Sequence, residues 1–180
     1  MKTLLSIDEF EKLPEPEQGG GYELDEGEAV YVSPNSLEQF RIIFRLYSLL
    51  SEWARSHDRG LVAAETWIEL APGVVRAPDV AFVPRERISN LDPKHALKVV
   101  PALAVEVLSA YSTAREMGRK IQQYRDAGIE LIWVVDPDKA EVDVYSQLPL
   151  KTLRRDDLLM DENVLPGFSI PLSTIFAPAR

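Results

Sequence analysis

Apolar and polar positions divide the chain into short helical and extended segments. Ser6-Ile-Asp-Glu9 has the form of a capping box, with Leu5 and Phe10 placed as a staple. It opens a short helix that ends before Pro14, and the "EPEQGGG" stretch is a flexible link. "YELDEGEAVYVSP" reads as two short strands around an Asp25-Glu26-Gly27 turn. From Ser36 to about Ser56, Leu37, Phe40, Ile43, Phe44, Tyr47, Leu50 and Trp53 recur at three- and four-residue steps, which predicts one long amphipathic helix with Gly60 beyond its end. "LVAAETWIEL" reads as a strand, Ala71-Pro72-Gly73 as a turn and "VVRAPDVAFVP" as the returning strand. Residues 85–100 form a polar loop. "ALAVEVLS" is apolar or small around its one acid and "ELIWVVDP" is apolar between its two flanking acids, the mark of strands covered on both faces. Between them Thr113-Ala-Arg-Glu116 caps a helix that runs to Gly128. "AEVDVYS" is expected to be an antiparallel edge strand, and "LPGFSIPLSTIF" a turn and a short helix.

Two covered strands joined by a helix pair in parallel through a right-handed crossover. A helix, a hairpin and this unit together predict an α/β fold, a mixed sheet flanked by helices. The sequence shows no internal repeat, and its 180 residues fit one domain, 1–180, with a sizeable core.

Composition narrows the function classes. A hydrophobic fraction of 46% with 27% charged residues is ordinary for a globular protein. No apolar run reaches the roughly 18 residues of a membrane span, and the N-terminus is not a signal peptide. There is no cysteine, hence no disulfide or thiolate chemistry, and the cytoplasm is the expected compartment. The net charge of −9 opposes a nucleic-acid partner in bulk, so such a partner needs a local basic strip. Acid-rich clefts that hold a divalent metal suit this balance more easily.

Glu106, in "PALAVEVLS", has only apolar or small neighbours. A carboxylate there is costly unless something pairs with it, and a structural ion pair and a metal ligand account for it about equally. Asp79 follows Pro78 at the start of an apolar run; taken alone it reads as a turn residue at a strand end. Lys120 borders the stripe Met117, Ile121, Tyr124, and in isolation it reads as a snorkelling side chain. The three together say more. The helix bearing Lys120 follows the strand bearing Glu106, and folding back brings the ammonium to that strand's C-terminal end. Asp plus Glu is a hard-oxygen pair suited to Mg²⁺ or Mn²⁺. With a lysine beside it, such a pair has the parts a phosphodiesterase needs.

"YELDEGE", "SPNS", "RAPDVAFVP", "LAVEVLS" and "GRKIQQYRDAGIELIWVVDP" resemble, in order and spacing, the Uma-type family of restriction endonucleases in the PD-(D/E)XK nuclease superfamily. The resemblance runs from about Ile7 to Phe176. It implies a restriction-endonuclease-like central mixed β-sheet flanked by helices, DNA as substrate and a homodimer. It places Pro78-Asp79 at the first half-motif, Glu106 at the second acid and Glu23 at the family's early acid, a third metal position. The usual lysine position two residues past the acid is Leu108; the Uma-type pattern puts the lysine on the next helix, at Lys120. Glu38 stands where the family often has histidine, Ala110 where it has proline, and Arg119 where it often has glutamate. These departures leave room for a catalytically weak or inactive dimeric binding module.

The remaining candidates read more simply. His57 and His95 lack metal-ligand spacing and are expected at the surface, and Glu65 at an edge or facing outward. Trp53, Trp67 and Trp133 read as core. Arg85, Arg87, Lys94 and Lys98 form a basic loop, either solvated or in contact with phosphate.

Overall fold

A computed structural model describes residues 4–89, 91–147 and 149–177; the ends of the expected 1–180 domain lie outside the described residues. In chain order the elements are α1 (Ile7–Phe10), β1 (Gly21–Asp25), β2 (Glu28–Val32), α2 (Leu37–Ser56), β3 (Gly60–Ala64), β4 (Ile68–Ala71), β5 (Val74–Arg76), β6 (Val80–Pro84), β7 (Leu103–Val107), α3 (Ala114–Asp126), β8 (Leu131–Asp136), β9 (Glu141–Tyr145), β10 (Lys151–Leu153), β11 (Leu158–Met160) and β12 (Ser169–Pro171). A six-stranded sheet has the order β10-β9-β8-β7-β6-β3, and a four-stranded sheet the order β2-β1-β5-β4. Among the described residues of the larger sheet only the β7–β8 pair is parallel, and α3 is the crossover between those two strands.

β7 lies inside the larger sheet, between β6 and β8, and all five of its residues are buried. Its two faces meet different partners. Leu103, Val105 and Val107 join the main core with Ile42, Leu46, Leu50 and Trp53 of α2 and Leu165, Phe168, Leu172 and Ile175 of the tail. Ala104 faces the other side, with Ile121 and Tyr124 of α3 and Ile132 and Val134 of β8. Because side chains alternate along a strand, Glu106 falls on the α3 face.

The capping boxes form as expected, at Ser6/Glu9, at Thr113/Glu116, and also at Ser36/Gln39. The β1–β2 hairpin closes where Asp25 pairs with Glu28, and Glu26 and Gly27 both take positive φ (51° and 84°). That is the primed turn whose twist suits a two-residue hairpin loop.

Five expectations change. "LVAAETWIEL" is two strands in two sheets: Glu65, at φ 48°, breaks the extended chain between β3 and β4. "VVRAPDVAFVP" divides likewise into β5 and β6 at Pro78, which has no N–H to give to a ladder. β9 is antiparallel but not an edge, since β10 pairs outside it. The tail supplies β12, paired with β11, before a single 3₁₀ turn. The α2 stripe also splits. Ile43, Leu50 and Trp53 are buried, whereas Leu37, Phe40, Phe44 and Tyr47 are exposed, and the inner face is completed by Ile42 and Leu46.

This division of α2 predicts unequal costs. Leu46→Ala should lower the unfolding free energy by about 2–5 kcal/mol, and Phe44→Ser should change it by no more than about 0.5 kcal/mol. Urea unfolding followed by circular dichroism measures both.

Candidate active site

The antiparallel register sets the two acids opposite one another. Val80 pairs with Val105 and Phe82 with Leu103, so the next step along brings Asp79 level with Glu106. Residues so opposed carry Cβ atoms about 5 Å apart on the same face. The ladder ends there, and the Asp79 carboxylate caps it: Oδ2 accepts the Val107 N–H at 2.5 Å.

Glu106 is buried, and both of its oxygens are engaged. Oε2 accepts from Lys120 Nζ at 3.0 Å, and Oε1 accepts from the Tyr124 hydroxyl. Lys120 also reaches Glu23 Oε1 at 2.9 Å, so one ammonium bridges β7 and β1. Glu23 is buried beside Arg76, whose Nη1 lies 2.9 Å from Oε2, and it takes the Ala77 N–H at 3.1 Å. Arg76 in turn meets Asp25 at 3.1 Å and donates to the Gln123 side chain at 2.6 and 2.8 Å. Lys120, Gln123 and Tyr124 stand at i, i+3 and i+4 on α3, one face of the helix. That face carries the buried polar contact between α3 and the two sheets, and Arg119 adds more exposed ion pairs to Asp25 and Glu26, both at 3.0 Å.

The electrostatics follow from burial and charge count. The cavity of about 540 Å³ at this site is lined by five acids (Glu23, Asp25, Asp79, Glu106, Glu116) and three cations (Arg76, Arg119, Lys120), a surplus of two negative charges if all are ionised. Asp79 bears the consequence. Burial, and then the Glu106 charge, push its carboxyl up to about 8. Burial raises Glu106 as well, against the pull of Lys120. Burial works to lower the Lys120 ammonium, but Glu106 and Glu23 outweigh it and hold the group above its ordinary range. Lys120 is therefore a fixed cation at any working pH. Burial and the Glu106 charge place the Tyr124 hydroxyl well above its usual range, so it remains a proton donor.

The structure brings together Asp79, Glu106, Lys120 and Glu23. It leaves other candidates outside. Glu38 is exposed and lines a neighbouring cavity; the residue of that segment that reaches the site is Gln39, which donates to the Val107 carbonyl at 3.2 Å. Glu65 is exposed and accepts from Asn35. His57 and His95 are exposed, His95 pairing with Glu11. Leu108 packs beside the α3 core and supplies no charge. The basic loop is remote. Arg85 follows β6 at the end opposite Asp79, roughly 20 Å away at strand rise. Its charges are also met locally: Arg85 by Asp58, Arg87 by Glu130, Lys98 by Glu69. Arg85 and Arg87 are thus engaged away from a phosphate at the carboxylates.

Arg76, Tyr124, Gln123 and Gln39 belong to the site without having been singled out in the sequence. Arg76 carried a usable signal, a cation inside an apolar strand. Gln123 carried one too, being one turn on from Lys120. Tyr124 reads as ordinary core, and nothing marked Gln39. Among the described residues no group of three or more His, Cys, Asp or Glu side chains forms a ready-made metal cage.

The family model Uma2, described as "Putative restriction endonuclease", matches residues 7–173. The chain belongs to this family. Among solved structures, the crystal structure of a "putative nuclease belonging to DUF820" from Anabaena variabilis ATCC 29413 is similar to it, with a TM-score of 0.81 at 20% identity over 96% of this chain and 98% of that one. At that identity the likeness concerns the fold, a large mixed sheet flanked by helices. No curated protein matches. Uma2 membership and a nuclease-like fold support a nuclease function and a nucleic-acid substrate. No helix among the described residues is long and apolar enough to cross a membrane.

Two measurements probe the charge cluster in EDTA. The folded-state value of Asp79 lies above its unfolded value of 3.8, so the folded protein holds the extra proton between about pH 4 and pH 8 and loses stability as pH rises through that window. Asp79→Asn removes this loss. Its stability relative to wild type should grow from pH 4 to pH 8, by on the order of 1–2 kcal/mol after allowance for the opening to solvent, and level off above. Lys120→Met leaves the buried Glu106 without a cation, Glu23 keeping Arg76, and should cost about 3–5 kcal/mol at pH 7. Thermal melts across pH read both.

Proposed function

We propose that the protein is a metal-dependent endonuclease that hydrolyses DNA phosphodiester bonds. The observation that carries this is the pair Asp79 and Glu106, opposed across β6 and β7 in a solvent-open cleft with uncompensated negative charge. A pair of carboxylates of which Glu106 alone is ion-paired, and that offers only hard oxygens, fits Mg²⁺ or Mn²⁺. Such ions take one or two carboxylates and complete their shell with water and substrate phosphate, so a full protein cage is not needed. When bound, the ion would ready a water and stabilise charge on the phosphate.

The chain's own residues supply the rest. Asp79 and Glu106 would hold the ion. Lys120, a permanent ammonium, is unsuited to removing a proton and suited to stabilising the negative charge that builds on the phosphate, or to orienting the attacking water. Tyr124 and Glu23 fix Glu106 and Lys120 in place. Both Glu23 oxygens are already taken by Arg76, Ala77 N–H and Lys120, which favours an anchoring role for Glu23 over the third metal position that the resemblance implies.

One observation favours a second reading. Both oxygens of Glu106 are occupied, by Lys120 and Tyr124, so an ion must share them or displace a partner. A catalytically weak or inactive binding module, a homodimer using an exposed face such as Phe40 and Phe44, would keep this closed arrangement.

Incubation with plasmid and with single-stranded DNA in Mn²⁺ or Mg²⁺ separates the two. The nuclease reading expects metal-dependent nicking or cleavage that falls by about 100-fold or more in Asp79→Ala. Absence of cleavage by folded wild type, with a dimer in sedimentation, supports the binding module. Cleavage that survives Asp79→Ala removes this site from consideration.

A further inference from the structure

The loop between β7 and α3 joins Glu106 to Lys120, and at its tip stands Tyr111, 83% exposed, the most exposed large hydrophobic side chain among those of the described residues. Its ring has no aromatic neighbour, and its hydroxyl has no hydrogen-bond partner among the described residues. The backbone beneath it is nevertheless tied down. Tyr111 N donates to Ser109 Oγ at 3.2 Å, Ser109 N donates to Ser112 Oγ at 3.0 Å, the two hydroxyls lie 3.1 Å apart, and Ser112 N donates to the Ser109 carbonyl at 3.1 Å. A serine clasp, rather than burial, sets where the ring projects.

Two cavities meet at this residue. Tyr111 lines the 540 Å³ cavity that holds Asp79, Glu106 and Lys120, and also the adjoining cavity of about 800 Å³. The wall of the first cavity includes Val30, Tyr31 and Val32 of β2, which are also exposed. An aromatic face and an apolar strip beside the acids suit a flat, apolar-faced ligand. The second cavity offers little to a phosphate: Glu38, Asp136, Asp138 and Asp143 stand against Lys139 alone. A nucleic-acid strand lying here cannot be held mainly by phosphate neutralisation, which leaves stacking as the available source of affinity.

We infer that Tyr111 is a stacking platform for an unpaired nucleobase, which brings the neighbouring phosphate of a single-stranded or locally opened strand to Asp79, Glu106 and Lys120. The inference rests on the nuclease reading and adds the substrate form to it. Stacking needs a base freed from its pair, so duplex DNA gains nothing from Tyr111. With no basic strip at the cleft, binding should also depend weakly on salt.

The test is fluorescence anisotropy of the full chain with labelled oligonucleotides in Ca²⁺. The probes are a 15-nucleotide oligothymidine, an abasic strand of equal length and a 15-base-pair duplex. Tyr111→Ala should weaken oligothymidine binding about 10-fold or more, Tyr111→Trp should retain it, and the abasic strand should bind wild type no better than oligothymidine binds the alanine variant. Duplex binding should be equal in wild type and variant. Equal oligothymidine affinity of wild type and Tyr111→Ala overturns the platform, as does no oligothymidine binding by wild type or equal weakening of all three probes. Binding does not require hydrolysis, so a protein that binds as expected but never cuts sustains the platform and refutes the nuclease reading. A protein that cuts duplex DNA through Asp79 and ignores Tyr111 does the reverse.

Discussion

The rest of the structure depends on one buried carboxylate, Glu106, at the end of a strand covered on both faces. Burying a charge there is costly unless it is paired and hydrogen-bonded, and the fold meets that demand with Lys120 and Tyr124 from a single turn of α3. Lys120 then needs balance of its own and finds Glu23 on the other sheet, and Glu23 finds Arg76. A chain of charge thus runs from β7 through α3 to β1 and β5. Apolar packing leaves the docking of α3 free to slide by a fraction of a turn; this chain does not, because a slip would leave charges unpaired in a low-dielectric interior.

That constraint preorganises the site. Lys120 is already held beside Glu106, so in the proposed reaction its placement would cost nothing further. Asp79 is the member left without a cation. It satisfies one oxygen with a backbone N–H, and burial and then the Glu106 charge raise its proton affinity. The net charge of the chain does not contradict a nucleic-acid substrate, but it does change where affinity comes from. Arg85 and Arg87 are tied into local ion pairs away from the carboxylates, so under the proposed function affinity at the cleft would come from an ion held by the acids and from aromatic surface.

Much of the fold was legible because it was local. The capping boxes at Ser6 and Thr113, the hairpin at Glu26-Gly27 and the covered strands β7 and β8 each depend on residues a few positions apart, and each formed as expected. Where the expectation failed, the deciding contact was distant. "AEVDVYS" has the alternation of an edge strand, and only the later Lys151–Leu153 strand puts it inside the sheet. The strands around Glu65 and Pro78 look continuous in hydropathy, but a positive φ and a missing N–H send each chain into a second sheet. The stripe along α2 has the right period for a buried face; how far round the helix the core reaches is set by the tail residues Leu165, Phe168 and Leu172.

The candidate site divides in the same way. The sequence by itself determined that Glu106 is out of place in an apolar strand, that Asp79 interrupts another, and that Lys120 rides the edge of a helix face, because strand and helix periods are written in neighbouring residues. Which charges meet was decided only by the tertiary structure. The antiparallel register of β6 on β7 sets Asp79 opposite Glu106, and the four-stranded sheet carries Glu23 and Arg76 to the helix. Coulombic and hydrogen-bonding partners are fixed by distance in space, and residues 97 positions apart, as Glu23 and Lys120 are, share no pattern along the chain.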